Sequence, residues 1–293
     1  MNTKKTKELL VFVLFILPAL ALVLFASDVP FVMNMYYSVF NWNGISRDMT
    51  FVGLDNFVKI FTNDSFFWIS VKFTLKYALF FVIIVNIAAL TIAMFLASER
   101  RSNSIARAFY YVPYIISMTA ISLLWKFILG PGFSSLYQIT GWEIFNWSWL
   151  GSGKLAFIVI VVMTTWQNIG YYIMNYITGI IAVPTELLEA SRIDGASRIQ
   201  TATKIMLPLI MPSISVCMLT SLTFSFKIFD VIMVFTKGGP GNSTASVAYN
   251  IYSEAFLNNN YGLATAKSVI FVIFVLCVTA IQTKITKGKE VEA

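Results

Sequence analysis

The segment ELLEASRIDGASRIQTATKIMLPLIMP, Glu186 to Pro212, gathers Glu186, Glu189, Arg192, Asp194, Arg198 and Lys204 between long apolar stretches. A second cluster lies in LAFIVIVVMTTWQNIGYYIMNYITGII, where Gln167, Tyr171 and Asn175 recur at four-residue spacing. Asn168, Tyr172 and Trp166 stand beside them. Neither cluster is equipped for bond-making chemistry. The chain has no histidine, which removes the commonest general base and metal ligand. Its two cysteines, Cys217 and Cys277, sit inside apolar runs and read as small buried residues rather than a zinc site or disulfide framework. With no acidic pair in the apolar runs, a hydrolytic constellation cannot be assembled. What these residue types can do is dock, through charge, and bind, through amides, hydroxyls and aromatic faces.

The elements that must position them are membrane spans. Of 293 residues, 58% are apolar and 12% charged, with a mean hydropathy of +0.76. An ordinary soluble domain carries about 25% charged residues. Six apolar runs are long enough to approach the roughly 30 Å of a bilayer core. They cover residues 9–26, 78–97, 108–129, 155–181, 213–236 and 268–282, the last being short. The first run exceeds a usual signal core and is expected to be retained. The fold class expected is an all-α polytopic membrane protein, with one membrane domain filling residues 1–293.

Lys and Arg set the orientation. Twelve of the 21 lie on one side if both termini are cytoplasmic, among them Lys4, Lys5, Lys7, Arg100, Arg101, Arg107, Lys284, Lys287 and Lys289. Seven lie in the longer segments outside, among them Lys72, Lys76, Lys154 and Lys267. Both termini inside is therefore favoured. The net charge of +7 is accounted for by these flanks, and nucleic acid is not the expected partner. Residues 182–212 become the longest cytoplasmic segment. Outside, DNFVKIF puts Phe57, Ile60 and Phe61 on one face of an interfacial helix with Asp55 as candidate N-cap.

Within the cytoplasmic segment, Thr185 is a candidate N-cap, and Glu186 and Glu189 suit the positive start of a helix. Asp194-Gly195 should end it, since glycine is the usual residue past a helix end. A second short helix, Ser197 to Met206, should stop before Pro208. Two short helices meeting at a glycine make an elbow, either a solvated loop or a docking surface.

The order of blocks decides between these. Glu189-Ala190-Ser191, then Asp194-Gly195-Ala196, then Ile205-Met206-Leu207-Pro208, resembles the EAA loop of binding-protein-dependent ABC importer permeases. Ser191 stands where that pattern has its second alanine, and Ala202 where it usually has phenylalanine. ILPAL in the first span, FVGLDNF, FDVIMVFTKGGPGNSTASVAYNIYSEAF and YGLATAKS resemble the sugar branch, the maltose and glycerol-phosphate type, in its first-type permease. Phe73-Thr74 stands where relatives often have Asn-Thr. The resemblance implies the type I importer permease fold, a heterodimer with a second permease, a cytoplasmic ABC ATPase dimer and an extracytoplasmic solute-binding protein, all at a bacterial-type inner membrane. It also implies that Glu186, Glu189, Ala190, Arg192, Asp194, Gly195, Ala196, Leu207 and Pro208 couple the chain to the ATPase.

The chain itself shows no nucleotide loop. Gly153-Lys154 echoes one, but the pattern needs glycine at 148 and Ser or Thr at 155, where the sequence has Ser148 and Leu155. KGGPG, Lys237–Gly241, reads as a tight turn. No cofactor is expected in this chain, with ATP and Mg2+ on the partner ATPase. The candidate solute path is Trp166, Gln167, Asn168, Tyr171, Tyr172 and Asn175, beginning about 16 Å into the fourth span, with Ser221 and Ser225 on the fifth. The alternative for these polar groups is inter-helix hydrogen bonding. Lys227 and Asp230, three apart, are a candidate structural ion pair, Lys126 is expected to snorkel, and Asn86 has no assigned role. An ion-coupled carrier is the competing function. It wants carboxylates deep in spans, and only Asp230 qualifies.

Overall fold

The computed structural model describes residues 3–98 and 100–287; Lys289 lies outside them. The chain divides into two compact units, residues 1–64 with 251–272, and residues 65–250 with 273–293.

In the first unit, α1 (Thr3–Val23) runs through a wide turn at Leu24–Asp28 into α2 (Val29–Tyr37). The predicted first span is thus longer, Leu10–Tyr37, and none of its residues is buried. Its apolar side chains are left for lipid or a partner. β1 (Phe40–Asn41) and β2 (Thr50–Phe51) form a minimal antiparallel ladder. The interfacial helix α3 spans Asp55–Asn63. Asp55 is its first helical residue rather than the N-cap, which falls to Leu54. Ile60 is buried but Phe61 is 57% exposed, because Asn56 claims the inner face. The Asn56 amide donates to the Ser38 and Phe40 carbonyls at 3.0 and 2.9 Å and pins α3 beneath the end of α2.

The second unit is built on α4 (Ser65–Leu96), α5 (Arg101–Ile115), α6 (Met118–Phe127), α7 (Phe133–Thr140) and α8 (Gly153–Ile181). The charged segment supplies α9 (Thr185–Ile193), α10 (Arg198–Thr201) and α11 (Leu207–Leu209), and α12 (Met211–Phe226) follows. α13 (Val247–Tyr252) and α14 (Tyr261–Lys287) follow, each divided between the two units. Tyr77, Phe81, Val85, Ala89 and Ala93, four apart, make the buried ridge of α4. It packs on Ile160, Met163, Ile173 and Tyr176 of α8. Lipid tails are as apolar as these side chains, so close packing rather than escape from water holds the helices together. Gly170 marks the nearest approach: a Cβ there would run into the Tyr110 backbone of α5.

Among the described residues four helices are long and apolar enough to cross a membrane, and counting each of two bent pairs as one span brings the number up to six. The first bend falls inside the span expected at 108–129, and the second just ahead of the one expected at 213–236. The third span turns by 92° between Ile115 and Met118. Ile116 and Ser117 are extended there, and Ser117 caps α6 through the Ala120 N–H. The fifth turns by 73° at Ile210 and then loses helical form after Phe226, resuming as a wide turn at Ile232–Thr236.

Candidate solute path and charged elbow

Broken backbone within a membrane exposes carbonyl and N–H groups that must find partners in the protein or in a wet cavity. The break at Ile116-Ser117 and the gap between Phe226 and Ile232 are each served by a side chain. Gln167 of α8 donates to the Ile116 carbonyl at 2.9 Å, and Ser246 donates to the Ile228 carbonyl at 2.7 Å. Between the breaks lies a hollow of about 230 Å³ lined by Met118, Phe224, Lys227, Phe229 and Asp230. Lys227 and Asp230 make no ion pair. The helix ends at Phe226, so the one-turn geometry that would have joined them does not exist, and both are exposed. The expected structural pair is therefore corrected: these charges line the hollow separately.

The predicted path residues separate into groups. Gln167 is buried, with Nε2 committed to Ile116 and Oε1 left as a buried acceptor. Tyr171 stacks on Tyr114 of α5 at 5.3 Å, and Asn175 donates to the Tyr171 carbonyl at 2.8 Å. These three do share one face of α8, buried at Gln167 and half-buried at Tyr171 and Asn175. Trp166 is 43% exposed, edge-on to Trp125. Asn168 is turned to the Thr164 carbonyl of its own helix at 2.8 Å, and Tyr172 is buried. Ser225 bonds back to the Leu222 carbonyl at 2.7 Å. Ser221 belongs to a polar knot. Tyr176 donates to Asn86 Oδ1 at 2.7 Å, and Asn86 Nδ2 donates to Ser221 Oγ at 2.9 Å, joining α8, α4 and α12. Asn86, unassigned from sequence, is its centre. None of the predicted path residues lines the hollow between the breaks. Pro113, four residues ahead of Ser117, was the one sequence signal for the first break.

The charged elbow has the shape its glycine implied. α9 closes in a Schellman turn: the Gly195 N–H donates to the Arg192 carbonyl at 3.1 Å and the Ala196 N–H to the Ser191 carbonyl at 2.9 Å. Gly195 has φ +80°, a conformation that L side chains resist. Ser197 and Gln200 then form a capping box that starts α10. Three details differ from expectation. Pro184, not Thr185, occupies the N-cap of α9, and only Glu186 falls in its first turn. The second arm also passes through Pro208. A wide turn at Ala202–Met206, closed by the Leu207 N–H on the Ala202 carbonyl, shifts the bonding register just ahead of the proline.

Glu186, Glu189, Ala190, Arg192, Asp194 and Arg198 are all exposed on the elbow, while Ala196, Leu207 and Pro208 are half-buried. Ile193 and Ile199, 86% and 75% exposed, add an apolar surface that the charge pattern did not reveal. Behind them a groove of about 620 Å³ runs between the elbow and Leu90, Met94 and Phe95 of α4.

A bundle of broken spans carrying a glycine-closed elbow is the architecture of an importer permease. Residues 86–290 match the family described as binding-protein-dependent transport system inner membrane component, and the chain belongs to that family. It is a multi-pass membrane component of an ABC importer, and the ion-coupled carrier is not favoured. The chain is 35% identical over 281 residues to the probable starch degradation products transport system permease protein AmyD of Thermoanaerobacterium thermosulfurigenes, covering 95% of this chain and 94% of that one. It is 32% identical over 262 residues to the multiple sugar-binding transport system permease protein MsmF of Streptococcus mutans, covering 89% and 90%. Its fold is that of a chain from a bacterial ABC transporter involved in the import of the acidic polysaccharide alginate, with TM-score 0.83, 19% identity and 97% of each chain covered.

Proposed function

We propose that this chain is the first-type permease of a heterodimeric sugar importer, with both termini cytoplasmic. A second permease completes the path, a cytoplasmic ATPase dimer holds ATP and Mg2+, and an extracytoplasmic binding protein delivers the solute. The chain contributes no catalytic residue and no cofactor site of its own. Relatives named for starch degradation products and multiple sugars support a carbohydrate solute.

The observation that carries this reading is the elbow. Its turn is fixed by two backbone bonds and a capping box, and its tip presents Arg192, Asp194 and Gly195 beside exposed Ile193 and Ile199. A rigid tip with charge and apolar surface is suited to sit in a cleft of an ATPase and follow its closure. Ile199, one turn of chain before Ala202, can supply apolar contact where the family pattern would place phenylalanine. Alternating access then opens the hollow between the two breaks to either face. Phe224 and Phe229 offer faces for the C–H side of a sugar, and Lys227 and Asp230 offer hydrogen bonds to its hydroxyls.

Co-purification tests the assembly: an ATPase and a second permease should come down with the tagged chain, and carbohydrate with its binding protein should stimulate ATP hydrolysis. Transport by the chain alone in vesicles, driven by an ion gradient, would overturn the reading.

A further inference from the structure

At the Ser65 end of α4 and the Gly153 end of α8, a second cavity of about 600 Å³ is lined by Lys72, Lys76, Lys154, Ser152, Ser243 and Phe157. No acidic side chain lines it. The only ion pairs among the described residues involve Lys267, so the three ammonium groups have no carboxylate partner within salt-bridge distance. Lys76 lies over the Phe157 ring at 4.2 Å, which holds it against the cavity wall.

The backbone adds to the same charge. α8 is 29 residues long and begins at this cavity, and Ser152, its N-cap residue, makes no side-chain capping bond. The first N–H groups of such a helix carry about half a positive charge and favour an anion. Three uncompensated lysines and an uncapped helix start repel one another, and a bound oxyanion removes that repulsion.

Depth narrows the source. α4 has 32 residues, about 48 Å of helix against about 30 Å of hydrocarbon, so an end of it reaches the headgroup layer. Lys72 and Lys76 stand in its first three and a half turns.

We propose that this cavity binds a phosphate-type oxyanion, supplied either by an anionic phospholipid headgroup or by a free phosphorylated solute. Lys72, Lys76 and Lys154 neutralise it, while Ser152 and Ser243 donate hydroxyl hydrogen bonds. The site is separate from both the hollow between the breaks and the elbow, and it does not depend on the transport reading.

The test uses the full-length chain, delipidated in neutral detergent, beside the triple variant Lys72→Gln, Lys76→Gln, Lys154→Gln. Native mass spectrometry follows titration with phosphatidylglycerol against phosphatidylcholine, and thermal unfolding follows titration with inorganic phosphate. Retention of phosphatidylglycerol at least tenfold over phosphatidylcholine, lost in the triple variant, identifies a lipid site. A variant-sensitive rise in Tm with phosphate, without lipid selectivity, identifies a free-anion site. The triple variant's own ligand-free Tm is the reference for its titration, since removing three like charges changes that value by itself; Lys72→Arg with Lys76→Arg should retain binding and guards against a folding defect. No selectivity in either arm, or equal binding by the triple variant, overturns the proposal.

Discussion

The hydroxyls of Ser191 and Thr201 lie 3.1 Å apart across the Gly195 turn, joining the two arms of the elbow. Ser191 stands where the family pattern has alanine, and it is buried while also bonded to the Leu188 carbonyl at 2.8 Å. The departure from the pattern thus adds a cross-link. Ser191→Ala should loosen α10 by about 1 kcal/mol. Amide exchange at residues 197–203 should then quicken about fivefold, since that energy is a factor of roughly five. Unchanged exchange would show that the hydroxyl pair contributes nothing.

Gly195 has open space around a notional Cβ, so its constraint is backbone conformation and not crowding. Gly195→Asn tolerates the left-handed region and should keep substantial uptake. Gly195→Asp has nearly the same shape but places a second carboxylate beside Asp194. It should abolish uptake while leaving the protein in the membrane. Normal uptake by the aspartate variant would remove the elbow from the mechanism.

Lys267 is fully buried with its Nζ 2.7 Å from both Asp64 Oδ2 and Glu254 Oε2. Asn260 Nδ2 donates to the other Glu254 oxygen at 3.1 Å. The cluster ties the end of α3 to the first turns of α14. Lys267→Met should cost about 3–5 kcal/mol, because two carboxylates lose their counter-charge. Adding Asp64→Asn and Glu254→Gln to it should recover most of the loss in Tm. If the triple change is no better than the single one, the charges are not what Lys267 is balancing.

Gly170→Val should be among the most damaging single changes in the second unit, since its Cβ would meet the Tyr110 backbone. Overpacking of this kind costs about 1–3 kcal/mol. A lowered Tm with no change for Gly130→Ala, where a Cβ meets nothing within 4 Å, would separate crowding from general glycine loss.

Tyr176→Phe removes the hydrogen bond to Asn86 but keeps the ring. Inter-helix bonds of this kind average about 0.6 kcal/mol in membranes. The loss in unfolding free energy should therefore be small, and a cost several times larger would mean that the knot acts as a unit.

Apolar run length and the spacing of small and charged residues made the membrane class, the elbow and its glycine legible in the amino-acid order alone. These features are local: a run either matches a bilayer or does not, and a Schellman turn needs only its own few residues. The helix breaks were barely legible, with Pro113 the one local signal for the first. YIISM is as apolar in sequence as the straight helices, and nothing local shows that Gln167 and Ser246 will satisfy the carbonyls left open at Ile116 and Ile228. Lys227 and Asp230 read as a pair only on the assumption of unbroken helix. Lys267 read as a flanking charge because its partners lie 13 and about 200 positions away in the chain. Which polar groups hold helices together and which face a hollow depends on contacts between distant segments, and only the packed chain decides it.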